Sequence, residues 1–149
     1  FCKSVVQMIF YIWSYYLEAQ DFVYDQTHED VQLRIRPFYI PEKSDEKSGV
    51  FFYAYQVAIT NLASHQIQLL MRSWTIRNGH GVTENIQGKG VNGQTPMIDP
   101  GETFYYSSFC PLATPTGNMR GSYLFKGHRG NHFSVPVPVF FFRKPDTFH

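Results

Sequence analysis

The spacing of apolar residues changes character once along this chain. Over the first twenty residues Val5, Val6, Ile9, Ile12, Trp13, Tyr16 and Leu17 recur three and four apart, the period of one helical face, and predict an amphipathic helix. Phe10, Tyr11 and Tyr15 leave the opposite face apolar as well, so such a helix needs cover. Either it packs on its own domain or it docks on a partner through Ile9, Phe10, Trp13, Tyr16 and Leu17. Its polar face lacks the Lys and Arg of membrane-surface helices. The apolar run Val5 to Leu17 falls short of the roughly 20 residues that span a bilayer. As a signal-peptide core it is poorly framed, with only Lys3 before it and no small-x-small cleavage site after it.

From Val31 the pattern is that of strands and turns. Val31, Leu33 and Ile35 alternate with polar residues in a first strand, which Pro37 and the charged loop Pro41 to Gly49 are expected to close. A second strand begins at Phe51, with Phe51, Tyr53, Tyr55, Val57 and Ile59 on the face that carries the bulk of the core. After a turn at Asn61 to His65, Ile67, Leu69 and Met71 lead to Trp74-Thr75-Ile76, and the change of parity between Met71 and Trp74 predicts a bulge. Asn78-Gly79-His80-Gly81 forms a tight turn into a short strand ending near Ile86. Thr103 to Ser108, Met119 to Phe125 and His132 to Phe142 complete about seven strands, the number and spacing of an immunoglobulin-like sandwich. In the last strand Phe133, Val135, Val137 and Val139 are expected to point inward. Pro136 and Pro138 remove donors from one side of it, which places the strand at a sheet edge or against a break.

At 149 residues the chain accommodates one domain, divided here into a helical extension over residues 1–30 and a sandwich over residues 31–149. Thirteen Lys and Arg against twelve Asp and Glu leave no global field that would steer it to nucleic acid or a membrane surface. Cys2 and Cys110 are too few for the disulfide framework of a small secreted scaffold and read as buried thiols of a reducing, intracellular compartment. The chain opens on Phe1 rather than Met, the start expected of a fragment, a processed chain or an incomplete expression product.

Gln87-Gly88-Lys89-Gly90-Val91-Asn92-Gly93 contains a G-x-G-x-x-G match. A dinucleotide site requires a helix N-terminus directly after the glycines, and Pro96 and Pro100-Gly101 forbid that helix. What remains is a glycine loop that either satisfies backbone packing or, through Gly88, Lys89, Gly90 and Gly93, forms a small anion nest. No catalytic constellation emerges, since the carboxylates do not cluster around a nucleophile and Ser107, Ser108 and Cys110 lack a base motif. No zinc pattern is present, and His128 and His132 in a hairpin loop do not fix a metal. Arg72, Arg77, Lys89 and Arg120 can form a basic surface, though they are scattered in sequence.

The residues from about Val31 onward resemble the ApaG domain family. The likeness runs through Gln68 to Ile76, Asn78-Gly79, Glu84 to Pro96 with Gly88, Gly90 and Gly93, Ile98 to Glu102, Tyr105 to Ser108, Thr114 to Tyr123 and Val137 to Phe140. The resemblance implies a fibronectin type III-like sandwich without a shared enzyme activity. Bacterial members are linked to cobalt and magnesium homeostasis, whereas eukaryotic ApaG domains in F-box proteins and the polymerase-delta-interacting protein look like interaction modules. The resemblance also implies phosphate or nucleotide affinity at Gly88, Gly90 and Gly93, with Lys89 replacing a residue that is often acidic in bacterial members. The N-terminal helix has no counterpart in the short bacterial proteins and points to a eukaryotic, cytoplasmic or mitochondrial-matrix member. The expected role is a non-catalytic interaction or assembly subunit that needs no cofactor. The alternative is a small-anion-binding or metal-homeostasis-linked regulator, and an unrecognised enzyme is the third class.

Overall fold

The computed structural model describes residues 22–144. The helix expected over the first twenty residues lies outside them. Among the described residues nine strands form, β1 (Tyr24–His28), β2 (Val31–Tyr39), β3 (Phe51–Asn61), β4 (Ile67–Asn78), β5 (Thr83–Lys89), β6 (Met97–Ile98), β7 (Thr103–Leu112), β8 (Thr116–Lys126) and β9 (His132–Arg143). One sheet has the order β1-β2-β3-β7 and the other β5-β4-β8-β9, with β6 continuing the β5 side of β4. Helical turns among the described residues are confined to three short 3-10 segments. The expected all-β sandwich is therefore present.

β1 extends the sandwich N-terminal to the boundary drawn at Val31. It pairs with β2 from Tyr24 opposite Ile35 to His28 opposite Val31. Its sequence lacks apolar alternation, and it is held by backbone pairing, by the positive-φ turn at Glu29 and Asp30 and by Tyr24, whose ring meets Phe140 of the core at 6.1 Å. β2 continues through Pro37 to Tyr39 instead of closing there. The Ile35 carbonyl faces the β1 side, where it accepts from Val23, and the missing donor of Pro37 two residues on faces that same side, beyond the end of β1.

The core lies between the sheets. Val31, Leu33, Ile35, Tyr53, Tyr55, Val57 and Ile59 of the first sheet meet Leu69, Trp74, Met119, Tyr123, Phe125, Val135, Phe140 and Phe142 of the second, all buried. Trp74 packs edge-on against Tyr55, Tyr123 and Phe140 at ring-centroid distances of 6.0, 5.5 and 6.1 Å. Edge-to-face contact adds about 0.5–1.5 kcal/mol per pair to simple area burial.

Two bulges differ from the sequence expectation. The β4–β8 register slips between Leu69 and Met71, so Leu70 is the extra residue and the bulge precedes Met71 rather than following it. Met71 consequently faces solvent, at 41% exposure, and Arg72 shares the inward parity of Trp74. The second slip sets Gly121 opposite Val137 but Met119 opposite Phe140. It turns Val139 outward, 42% exposed, where continuous alternation from Phe133 would have buried it. β9 is an edge strand with a break, as its prolines require. Its free side is closed by side chains of β1: Gln26 Nε2 donates to the Pro136 carbonyl at 3.2 Å, and the Phe141 amide donates to the Tyr24 hydroxyl at 3.0 Å.

The two outer faces are unlike. On the first sheet Ala54, Gln56, Ala58 and Thr60 of β3 point away from the core yet are 0–9% exposed. They lie between Arg34 and Arg36 of β2 and Tyr105 and Phe109 of β7, and the Arg34 guanidinium sits over the Phe22 ring at 5.2 Å. On the second sheet, by contrast, the outward Met71, Arg77, Arg120, Val139 and Phe141 are exposed.

Candidate functional site

The glycine segment is a closing device for one side of the sandwich. Gly88 and Lys89 belong to β5, opposite Arg72 and Met71, and as strand neighbours they face opposite sides. Gly90 has φ +61°, and its amide donates to the carbonyl of the bulged Leu70 at 2.7 Å. Val91 and Gln94 exchange both backbone hydrogen bonds at 2.9 Å, with Asn92 and Gly93 between them at φ 49° and 76°. Positive φ at both central residues is the twist-compatible geometry of a two-residue hairpin. Val91 is buried in the core, and Asn92 Nδ2 donates to the Ser107 carbonyl of β7 at 3.0 Å. The hairpin thus joins an edge of one sheet to an edge of the other. Arg72 secures it from inside, with Nη1 2.8 Å from the Gly90 carbonyl and 3.3 Å from that of Lys89.

This geometry separates the residues nominated for anion binding. The amides of Gly90, Val91 and Gln94 are committed to backbone carbonyls. Gly88 lies over the Arg72 guanidinium, Lys89 points to the outer face and Gly93 occupies the hairpin tip. The segment that follows is the short strand Met97–Ile98, not a helix that could meet a pyrophosphate.

A second arrangement arises on the outer face of β5-β4-β8-β9. Trp74, Met119 and Tyr123 point inward, so Arg77 of β4 and Arg120 of β8 point outward with the intervening Ser73, Thr75 and Ser122. Lys89 of β5, Lys126 of β8 and Arg143 of β9 share that face. All these cations are exposed, and none has a carboxylate partner among the described residues. Exposed Met71 lies between Lys89 and Leu124, while Val139 and Phe141 add apolar surface along β9. The basic surface expected from Arg72, Arg77, Lys89 and Arg120 is therefore present in part. Arg72 is excluded from it because the Leu70 bulge reverses its side. Lys126 and Arg143 are members that sequence reasoning missed, although outward parity counted from Tyr123 and Phe142 would have found them.

Other chemistry-bearing groups do not assemble into a site. The His128 ring meets that of His65 in a tilted contact at 5.0 Å, and no cluster of three metal-ligating side chains exists among the described residues. Lys144 and Glu46 form an ion pair at 2.5 Å, and the Tyr39 hydroxyl donates to Glu46 at 2.8 Å, in a shallow cleft with Pro41 and Ser44. The Lys144 ammonium and then the Tyr39 hydroxyl hold the Glu46 carboxyl below its ordinary value. In the core the Tyr106 and Tyr123 hydroxyls hydrogen-bond each other, and burial pushes both well above the usual phenol range. Burial also pushes Tyr55 up to about 12, and Cys110, a free thiol, up to about 12. A thiol held protonated in this way is a poor nucleophile. No helix among the described residues is long and apolar enough to cross a membrane.

Comparison with known proteins agrees with the architecture. The family model of the ApaG domain matches residues 41–127. Protein ApaG of Bordetella pertussis is 43% identical over 120 residues, covering 80% of this chain and 92% of that protein. Protein ApaG of Bdellovibrio bacteriovorus is also 43% identical over 120 residues, with 80% and 94% covered. The crystal structure of the putative ApaA protein from Bordetella pertussis superposes with a TM-score of 0.77 at 43% identity, over 79% of this chain and 96% of that one. The names of these relatives specify no reaction, and their bacterial sources lend no support to the eukaryotic or mitochondrial placement expected from the N-terminal extension. Family model, sequence relatives and fold agree over the strands described above, and this chain belongs to the ApaG domain family.

Proposed function

We propose that this chain is a non-catalytic protein-interaction module, an accessory or assembly subunit that engages its partner through the outer face of β5-β4-β8-β9. The observation that carries the reading is the contrast between the two outer faces. The central strand of the first sheet is covered along Ala54, Gln56, Ala58 and Thr60, whereas the second sheet presents Met71, Val139 and Phe141 at 41–42% exposure among uncompensated cations. Apolar side chains rimmed by polar ones on a broad, flat surface suit a protein partner better than a small substrate. The strand order, with β1-β2-β3-β7 against β5-β4-β8-β9, supports the fibronectin type III-like reading of the sandwich, a scaffold that serves many adhesive roles.

The alternative, anion capture by the glycine hairpin, has weaker support because three of its amides already serve backbone carbonyls. Site-specific photo-cross-linking in the native cell tests the proposal. A benzophenone side chain at Thr75, on the open face, is expected to trap a discrete protein partner, and one at Ala58, on the covered face, is expected to trap none. Absence of any intermolecular adduct from Thr75 would overturn the reading.

A further inference from the structure

Across the whole chain thirteen Lys and Arg nearly balance twelve Asp and Glu, yet the fold segregates them. Arg77, Lys89, Arg120, Lys126 and Arg143 project from the outer face of the second sheet. Among the described residues, no Asp or Glu of these strands projects from that face. Glu84, the single carboxylate in these four strands, pairs with Ile76 and takes the opposite parity. The described acids lie elsewhere, as with Asp25 in β1, Glu29 and Asp30 in the β1–β2 turn and Asp45 and Glu46 in the β2–β3 loop. Between the cations stand uncharged hydrogen-bonding side chains, among them Ser73, Thr75 and Ser122, and a small apolar strip at Met71 and Leu124.

Resting on the interaction reading above, we propose that this face docks an acidic polypeptide segment whose carboxylates alternate with apolar side chains. Neighbouring strands lie roughly 4.8 Å apart and outward residues two apart along a strand roughly 6.8 Å, so an extended chain laid across the sheet meets a cation, a hydroxyl or a side-chain amide at most of its steps. Arg77 and Arg120 lie diagonally across the β4–β8 pair, since Arg77 opposes Asn118 and Arg120 opposes Thr75. Carboxylates landing there accept charge-assisted hydrogen bonds, and one landing on Lys89 leaves an apolar neighbour to cover Met71 directly opposite it. Single-stranded nucleic acid fits less well. It needs free aromatic platforms, and the outward aromatic on this face, Phe141, already carries the Arg143 guanidinium 5.2 Å over its ring.

Fluorescence anisotropy of a labelled synthetic peptide of alternating Glu and Leu, titrated with the full chain, tests the proposal. An oligothymidylate and a Lys-for-Glu version of the peptide serve as comparators. Binding is expected to weaken at least about tenfold between ~50 and ~300 mM salt and to be absent for the Lys peptide. The double variant Arg77→Glu/Arg120→Glu is expected to lose at least about tenfold in affinity while its thermal melting is unchanged, because both side chains are exposed. Should it fail to fold, Thr75→Glu/Ser122→Glu places carboxylates among the same cations and is expected to act in the same direction. Undiminished binding by a folded charge-reversed variant, or tighter binding of the oligothymidylate than of the acidic peptide, would overturn the proposal. If the acidic peptide fails while Thr75 still cross-links to a protein in cells, the partner chemistry is wrong and the interaction reading stands. If the peptide binds as expected and Thr75 traps nothing, that reading falls and the acid-binding face remains.

Discussion

Replacing Gly90 with alanine distinguishes a hairpin built for closure from a loose glycine loop. Its φ of +61° costs an alanine about 1–2 kcal/mol. A Cβ there would also lie 1.9 Å from the Gln94 carbonyl oxygen and 2.8 Å from the Gln94 carbonyl carbon, both backbone atoms. Relieving that overlap requires the hairpin to move by more than an ångström. The movement breaks the paired 2.9 Å bonds of Val91 and Gln94, about 0.5–1.5 kcal/mol each, and withdraws part of the about 1.5–3 kcal/mol that buried Val91 contributes. The sum is about 3–5 kcal/mol. Gly93 supplies the control, because at φ +76° it has the same handedness but nothing within 4 Å of an added Cβ. Gly93→Ala is expected to cost only the about 1–2 kcal/mol of the backbone conformation. In urea, with a slope near about 2 kcal/mol per molar, the Gly90 variant should unfold about 1.5–2.5 M earlier than the native chain and the Gly93 variant about 0.5–1 M earlier. Far-ultraviolet circular dichroism and tryptophan fluorescence, followed together, give both midpoints. Equal shifts for the two variants would refute the claim that Gly90 is fixed by contact with Gln94.

Trp74→Ala is expected to destabilise the sandwich by about 3–5 kcal/mol, since it empties the space between Tyr55, Tyr123 and Phe140; an unchanged denaturation midpoint would contradict its place in the core. Alkaline pH should also destabilise the fold. Cys110 and Tyr55 are each held at about 12 by burial and Tyr106 and Tyr123 are raised likewise, so the unfolded chain loses these protons first and stability falls as pH rises from about 8.5. Urea midpoints measured from pH 7 to 11 check the sign, and Cys110→Ala should remove the part of the decline that begins before the tyrosines of the unfolded state titrate. Nicotinamide and flavin dinucleotides are expected to give no heat on titration, and micromolar binding abolished by Gly90→Ala would show that the segment after Gly93 had been misjudged.

The layer architecture and most of the core follow from residue patterns alone. Alternation at Val31 to Ile35 and Tyr53 to Ile59, turn residues between the runs and paired prolines near the C-terminus are local signals, and each acts within a few residues of where it is written. That is why the sandwich, the core face of β3 and the edge position of β9 were legible. Other features depend on contacts made across the chain. β1 has no apolar period, and both the β2 backbone it pairs with and the Phe140 ring that Tyr24 meets come from elsewhere in the chain, so no local pattern announces it. A one-residue bulge is nearly silent in sequence but reverses every side chain beyond it. The slip at Leu70 carried Arg72 inward beneath the glycine hairpin and Met71 outward, and the slip near Pro138 carried Val139 outward. The cationic face has the same origin. Arg77, Lys89, Arg120, Lys126 and Arg143 are dispersed over some seventy residues of a nearly neutral chain, and only antiparallel pairing of β5, β4, β8 and β9 in their observed registers places them together without a carboxylate among them. Net charge is a sum over sequence, whereas the field a partner meets is set by which side of each strand a charge occupies, and strand register decides that side.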